Sequence, residues 1–239
     1  MHLLHPEARP VTAATAARGP YLAVCAAAAA ALTVLVAVDW APLVSFDRAV
    51  AGALHRSAVA EPGFTRLNRV LSDWVWDPWT MRALTLAAAV WLWARRERLL
   101  AGWFAATSAL GTAVQQSLKS AVGRERPRWA DPVDSAEYAA FPSGHAMSAA
   151  VACGLLVWLL RREGVRGRPW VWCAAAAAVS VAGVGFTRLY LGVHWPSDVV
   201  AGWLLGALLA GLAAVSYAWA GRALTRLRRA GPTGEDPGP

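Results

Sequence analysis

Long apolar runs separated by short polar stretches set the pattern of this chain. The first extends from Tyr21 to about Val38 and includes the alanine-rich CAAAAAAL. Five others follow: Trp79 to Ala94, Leu99 to Leu118, His145 to Leu160, Trp170 to about Phe186, and Val199 to Ala220. A helix of ~20 apolar residues crosses the ~30 Å hydrocarbon core of a bilayer, and these runs are of that order. Between the first two runs, Asp39 to Pro78 alternates polar and apolar residues instead. Within it, FDRAVAGALHRSAV and FTRLNRVLSDWVWD carry helical spacing, as amphipathic helices at a membrane surface do. The expected fold is all-α: a polytopic membrane protein with a six-transmembrane-helix bundle and amphipathic interfacial helices between the first and second spans.

The same pattern divides the chain. Residues 1–19, with Pro6, Pro10 and Gly19 and no strong period, are expected to form a mobile cytoplasmic tail. Residues 20–221 form the membrane domain, and residues 222–239 a basic and then polar cytoplasmic tail. A cleaved signal peptide is the rival reading of the first run, but the 20 residues ahead of it exceed a usual n-region.

Composition agrees. Of the 239 residues, 57% are hydrophobic and 16% charged, too apolar for an ordinary soluble domain. The net charge of +8 would suit a nucleic-acid binder, but the basic residues lie in short clusters between apolar runs, so no nucleic acid is expected as a partner. Clusters of that kind orient membrane helices. RRER (Arg95 to Arg98), RREGVRGR (Arg161 to Arg168) and RALTRLRR (Arg222 to Arg229) share one side if six helices alternate, and the positive-inside rule makes that side the cytoplasm. Cys25, Cys153 and Cys173 all lie inside apolar runs, as small buried hydrophobes do, and imply neither a disulfide nor a metal site.

One region breaks the charge rule. Lys119, Arg124, Arg126 and Arg128 stand on the opposite, outer side, and Arg188 joins them from the next outer loop. Topology gives these cations no reason to be there, whereas an anionic ligand does.

Three motifs carry the candidate chemistry. In KSAVGRERP, Lys119 and Arg126 are seven residues apart, so they share a helical face if the helix continues past Leu118 to end near Pro127. In FPSGHAMS, Ser143 suits an N-cap, Gly144 allows close approach of a ligand, and His145 falls in the first turn, where free N–H groups bind phosphate oxygens. In GFTRLYLGVHWPSD, Arg188 precedes His194 by six residues and Asp198 follows it by four, with Pro196 suited to a first helical turn. An aspartate on one ring nitrogen fixes the tautomer and leaves the other nitrogen as nucleophile or base. Taken singly, each motif has a plainer reading: snorkelling cations, a helix cap with an incidental histidine, and an interfacial His–Asp pair.

Together, Lys119-x6-Arg126-Pro127, Pro142-Ser143-Gly144-His145 and Arg188-x5-His194-x3-Asp198 resemble the tripartite signature of the type 2 phosphatidic acid phosphatase superfamily. That family includes membrane lipid phosphatases and, on a soluble scaffold, vanadium haloperoxidases. The resemblance covers roughly residues 79–215. Its one departure is Thr187, where many members have serine before the arginine. The resemblance implies that His194 attacks phosphorus to give a phosphohistidine, with Asp198 orienting it. It implies that His145 protonates the leaving oxygen and later activates water. Lys119, Arg126, Arg188 and the Ser143 and Gly144 amides then hold the phosphoryl oxygens. No cofactor or metal is called for.

The motifs lie at the outer ends of helices, so lipid phosphates such as undecaprenyl pyrophosphate, phosphatidic acid or phosphatidylglycerol phosphate are the expected substrates. The expected location is a bacterial inner membrane, with the site on the periplasmic or extracellular side. A phosphotransferase would use the same residues. A haloperoxidase has no need of six spans, and a non-enzymatic relative would be expected to lack one of the two histidines or Asp198.

Overall fold

The computed structural model describes residues 18–229. Most of the expected N-terminal tail, residues 1–17, and the end of the C-terminal tail, residues 230–239, lie outside that range. Among the described residues every regular element is helical. We number these α1 (Arg18–Ala37), α2 (Ala41–Ala60), α3 (Pro62–Val70), α4 (Pro78–Ala94), α5 (Arg98–Val122), α6 (Gly144–Arg162), α7 (Gly167–Tyr190) and α8 (Pro196–Arg229), with a π-helical turn at Leu71–Val75 between α3 and α4.

Local chemistry explains where these helices start and stop. Proline stands in the first turn of α2, α3 and α4, where its missing N–H costs no helical bond. At α4, Asp77 caps the helix by accepting the Trp79 N–H at 2.7 Å. The end of α5 departs from the expectation. The helix does pass Leu118, but it stops at Val122, because Gly123 takes a left-handed φ of 61° and its N–H bonds to the Lys119 carbonyl at 3.0 Å. Lys119 and Arg126 therefore do not share a helical face; Arg126 lies in the loop beyond.

Four helices are long and apolar enough to cross a membrane: Gly19–Ala37, Gly144–Arg162, Gly167–Tyr190 and Pro196–Ala223. α4 is a shorter 17 residues. α5 has 25, but its apolar run is interrupted by Thr107, Ser108, Thr112, Gln115 and Lys119. The 39–78 segment is helical as its spacing predicts, and α2 packs on α7 and α8.

α6 is the central helix, touching α4, α5, α7 and α8. It meets α8 along a stripe of small residues. A Cβ on Gly202 would stand 2.8 Å from the Ser143 carbonyl oxygen, and one on Gly206 would stand 2.8 Å from the Met147 carbonyl and 2.5 Å from the Ala150 Cβ. Further along, a Cβ on Gly154 would stand 2.7 Å from that of Ala210. Small residues four apart let two backbones approach closely, so dispersion contacts hold helices that gain little from hydrophobic burial in lipid.

At one end of the bundle, Arg162 pairs with Glu97 at 2.7 Å and Arg95 with Glu163 at 3.4 Å. These pairs bring RRER beside RREGVRGR, and Arg162 also lies over the Tyr217 ring of α8. The arginine-rich loops therefore share one end, and the cations of the three motifs lie toward the other.

The Gly206 contact is with backbone, which has little room to yield. Gly206→Ala is expected to cost about 1–3 kcal/mol, as overpacking does. Gly102→Ala, in open space, is expected to be neutral; unfolding midpoints in detergent check the pair.

Candidate active site

The site forms where the N-terminal ends of α6 and α8, the C-terminal ends of α5 and α7, and the 123–143 loop converge. The short turn Leu191–Trp195 carries His194 between α7 and α8, with Gly192 at a φ of 68°. Two indoles pin this turn to the loop. Trp129 Nε1 donates to the Gly192 carbonyl at 2.8 Å, and Trp195 Nε1 to that of Glu125 at 2.9 Å.

His194 is 1% exposed and Asp198 fully buried. The four-residue spacing places Asp198 Oδ2 at 3.3 Å from His194 Nδ1, as the sequence predicts. The same oxygen accepts the Trp195 N–H at 2.9 Å, an N3 carboxylate reaching back to the N-cap amide. On the other side of the ring, His194 Nε2 lies 3.1 Å from Arg126 Nη1. A guanidinium only donates, so Nε2 accepts and the ring proton resides on Nδ1, facing Asp198. Burial, reinforced by Arg126, Arg188 and Lys119, pushes the His194 pKa well below its usual 6.5. The imidazole is therefore neutral at pH 7, with its Nε2 lone pair turned toward the cations.

Arg126 also holds its own loop, donating to the carbonyls of Val193 (2.6 Å), Tyr138 (2.9 Å) and Glu137 (3.1 Å). Lys119 is buried and bonds to the Ala139 carbonyl. Arg188 is buried and donates to Ser72 Oγ at 2.8 Å, while its Nε has no protein partner. His145 reaches the same region from the first turn of α6, with Nε2 4.0 Å from Asp77 Oδ2. The structure thus gathers Lys119, Arg126, His145, Arg188, His194 and Asp198 from six segments. Arg128, counted with the misplaced cations, turns to solvent and pairs with Glu125 at 3.2 Å.

The Pro-Ser-Gly-His motif departs in detail from its reading. Ser143 stands at the N-cap of α6, but its hydroxyl makes no cap bond and has no partner. Its amide donates to the Asp198 carbonyl at 3.0 Å, so that N–H is already committed and the hydroxyl is the free polar group. At Gly144 a Cβ would stand 2.6 Å from Gln115 Nε2, so the missing side chain makes room for Gln115. Thr187, at the departure from the family pattern, bonds within its own helix to the Val184 carbonyl at 2.8 Å.

Four residues of the site had no role in the sequence reading. Ser72 and Asp77 lie in and just after the π-helical turn. Asp47 lies on α2, and Arg124, though counted among the misplaced cations, is bound to both Asp47 and Asp198. The legible signal for Asp47 was its position four residues before Ala51 and eight before His55, which puts two titratable groups on one buried face of α2.

This arrangement of two histidines, three cations and a buried carboxylate sits within a recognisable family. A family model described as the PAP2 superfamily matches residues 100–222, just over half of the sequence, and the chain belongs to that superfamily. It is 41% identical over 66 residues to an undecaprenyl-diphosphatase of Sulfolobus acidocaldarius, covering 28% of each protein. It is 36% identical over 97 residues to phosphatidylglycerophosphatase B of Bacillus subtilis, covering 38% of this chain and 45% of the relative. The chain therefore aligns with less than half the length of either. With a decaprenylphosphoryl-5-phosphoribose phosphatase of Mycolicibacterium smegmatis it shares 34% identity over 159 residues, 65% of this chain and 81% of that one. The crystal structure of a transmembrane PAP2-type phosphatidylglycerolphosphate phosphatase from Bacillus subtilis superposes with a TM-score of 0.57 at 22% identity, covering 86% of this chain and 98% of that one. The fold is that of a transmembrane PAP2 bundle, and the chain is a multi-pass membrane protein.

Because the folded His194 resists protonation, its linkage to stability has a definite sign. The unfolded histidine takes up a proton as pH falls through 6.5 while the buried one does not, so stability declines below that pH. Between about pH 7.5 and about pH 5.5, the unfolding midpoint of His194→Gln is expected to fall less than that of the wild type.

Proposed function

We propose that this protein is a metal-independent lipid phosphate phosphatase acting through a phosphohistidine. The observation that carries the reading is the His194 ring, with Nδ1 held toward Asp198 and the Nε2 lone pair facing Arg126 amid Lys119 and Arg188. A phosphate attracted by those cations would displace the Nε2–Arg126 contact and place phosphorus before a neutral nucleophile. As Nε2 bonds to phosphorus, the bond to the leaving oxygen breaks, and His145 supplies that oxygen with a proton. Water then attacks the phosphohistidine, giving its proton to His145. Lys119, Arg126, Arg188, the Ser143 hydroxyl and the Gly144 amide would hold the three phosphoryl oxygens, whose charge is most spread out in the transition state.

A lipid substrate is supported by the helices around the site. Each of the relatives described above carries the name of a phosphatase or diphosphatase, and the names refer to polyprenyl or phosphatidylglycerol compounds. Undecaprenyl pyrophosphate, phosphatidic acid and phosphatidylglycerol phosphate are the substrates we would assay first.

In this reading α4 and α5 complete six spans. α5 turns Thr107, Gly111, Gln115 and Lys119 to the bundle interior and leaves Leu110 53% exposed, so its outward face is more apolar than its composition. α3 is inverted in the same way. It buries Thr65 and Asn68 while Phe64, Leu67 and Val70 face outward, which suits a helix at the membrane surface.

His194→Ala is expected to abolish phosphate release in detergent while the protein stays folded. His145→Ala is expected to slow turnover by ~10²–10⁴-fold yet leave phosphoenzyme trappable from a substrate with a good leaving group. Activity is expected to survive EDTA and to be inhibited by vanadate, which takes the trigonal-bipyramidal shape of the transition state. Substantial turnover by folded His194→Ala would overturn the mechanism.

Charge asymmetry further supports a site opening to the periplasmic or extracellular face of a bacterial cell membrane, with the arginine-rich end in the cytoplasm. Gly167 has a φ of 61°, which disfavours a cysteine there, so the exposed neighbour Arg166 is the better probe. In a background with Cys25, Cys153 and Cys173 replaced, an impermeant maleimide applied to intact cells is expected to label Ser135→Cys and to spare Arg166→Cys. The reverse pattern would move the site to the cytoplasmic leaflet.

A further inference from the structure

Behind the His194 ring, away from the three phosphate-facing cations, lies a second charged cluster that the three motifs do not include. Arg124 Nη1 donates to Asp198 Oδ1 at 2.6 Å, and its Nη2 donates to Asp47 Oδ2 at 2.7 Å. Ser197 closes the group: its amide donates to Asp47 Oδ1 at 3.0 Å, its hydroxyl to Asp47 Oδ2, and that hydroxyl also accepts from Arg124. The side chains of Asp47, Arg124 and Asp198 are 1%, 10% and 0% exposed.

Within this cluster the charges do not cancel: two carboxylates share one guanidinium, so the Nδ1 side of a neutral His194 carries one net negative charge, facing Lys119, Arg126 and Arg188 across the ring. Excess buried charge is costly, and a single Arg124–Asp198 pair would already join the loop to α8. The second carboxylate therefore calls for a reason beyond stapling. Resting on the reading of His194 as nucleophile, the chemistry supplies one. When Nε2 forms its bond to phosphorus, Nδ1 keeps its proton and the ring gains a full positive charge. That charge is lost again when water attacks phosphorus and the N–P electron pair returns to Nε2.

We propose that Asp47 and Arg124 are positioning residues for this step: Arg124 fixes Asp198 so that its Oδ2 faces Nδ1, and Asp47 supplies the surplus negative charge that balances the phosphorylated ring. Neither residue touches the reacting atoms. Both act through Asp198, and Asp47 assigns a task to α2, an element outside the matched family region. Burial works against the charge on Arg124, but Asp198 and Asp47 more than offset it and hold its pKa above the usual arginine value. The other charged or titratable groups around the ring are Arg126 from the loop, Lys119 from α5, His145 from α6 and Arg188 from α7, with Asp77 beyond His145 at the start of α4. The carboxylates on the Nδ1 side are Asp198 and, through Arg124, Asp47.

Charge bookkeeping makes the test discriminating. Asp47→Asn keeps the shape but cancels the surplus, and kcat is expected to fall about tenfold with KM within about twofold. Arg124→Gln leaves two carboxylates with no cation between them and is expected to fall further. The double variant Asp47→Asn with Arg124→Gln again leaves one net negative charge on Asp198 but lacks the guanidinium that fixes it, and its kcat is expected to exceed that of Arg124→Gln without reaching that of the wild type. A staple predicts the opposite, because the double variant loses every cross-link.

All variants are compared as the full chain in detergent micelles, using phosphate release from dioctanoyl phosphatidic acid, base-stable and acid-labile labelling as the signature of phosphohistidine, and the unfolding midpoint. A double variant no faster than Arg124→Gln, or a folded Asp47→Asn with wild-type kcat, overturns the proposal. If Asp47→Asn does not fold, Asp47→Glu and Asp47→Gln repeat the charge contrast in matched packing, and equal kcat in the two overturns it as well. Wild-type phosphoenzyme is measured first in the same preparation. Its absence from His194 counts against the function proposed above, whereas its presence confines any failure to the roles of Asp47 and Arg124.

Discussion

The buried carboxylate of Asp198 is the contact on which the rest of the site depends. One oxygen accepts from Arg124; the other accepts the Trp195 amide and faces His194 Nδ1. Its backbone carbonyl accepts the Ser143 amide, which joins the start of α8 to the start of α6. A single residue thus links the 123–143 loop, the Pro-Ser-Gly-His turn and the turn that carries His194, which are distant in sequence. An unpaired carboxylate at this depth would be driven to protonate. The bonds that keep it charged are also the bonds that assemble the three motifs.

The fold prepares for that contact through the absence of side chains. α6 and α8 meet at Gly202 and Gly206, and the Gly202 contact is with the Ser143 carbonyl itself. Close backbone approach along the middle of the bundle therefore sets how near the two N-terminal ends come, and with them His145 and His194. Gly144 plays a similar part toward α5, admitting Gln115 one turn before Lys119. Packing and chemistry are connected here by distance: a wider helix pair would separate the motif that carries His145 from the one that carries His194.

Much of this was legible in the sequence because apolar periodicity and motif spacing are local properties. The helical runs, the four-residue step from His194 to Asp198 and the out-of-place cations all follow from short stretches of chain. What was missed depends on the backbone's finer choices or on distant partners. Gly123 ends α5 before Arg126, so Arg126 reaches the site from a loop held by the carbonyls of Val193, Tyr138 and Glu137. The Ser143 amide is taken by a residue 55 positions away in the chain, which no cap rule anticipates. Asp47 is 77 residues from Arg124 and 150 from Ser197, and only the packing of α2 against α7 and α8 brings it to them. Six apolar runs are legible in the sequence, whereas four helices are long and apolar enough to cross a membrane, and α5 turns its polar residues into the bundle.

The imidazole of His194 is the boundary between two electrostatic environments. Before Nε2 stand Arg126, Arg188 and Lys119; behind Nδ1 stand Asp198 and, through Arg124, Asp47. Each side opposes a different error. The cations prevent the ring from taking a proton on Nε2, which would remove the lone pair, and the carboxylate keeps the proton on Nδ1, which would otherwise be free to exchange positions. In the proposed mechanism, an anion arriving in front would neutralise the cations at the same moment that it offers phosphorus to the lone pair. The positive charge then created on the ring would face the carboxylate side of the site.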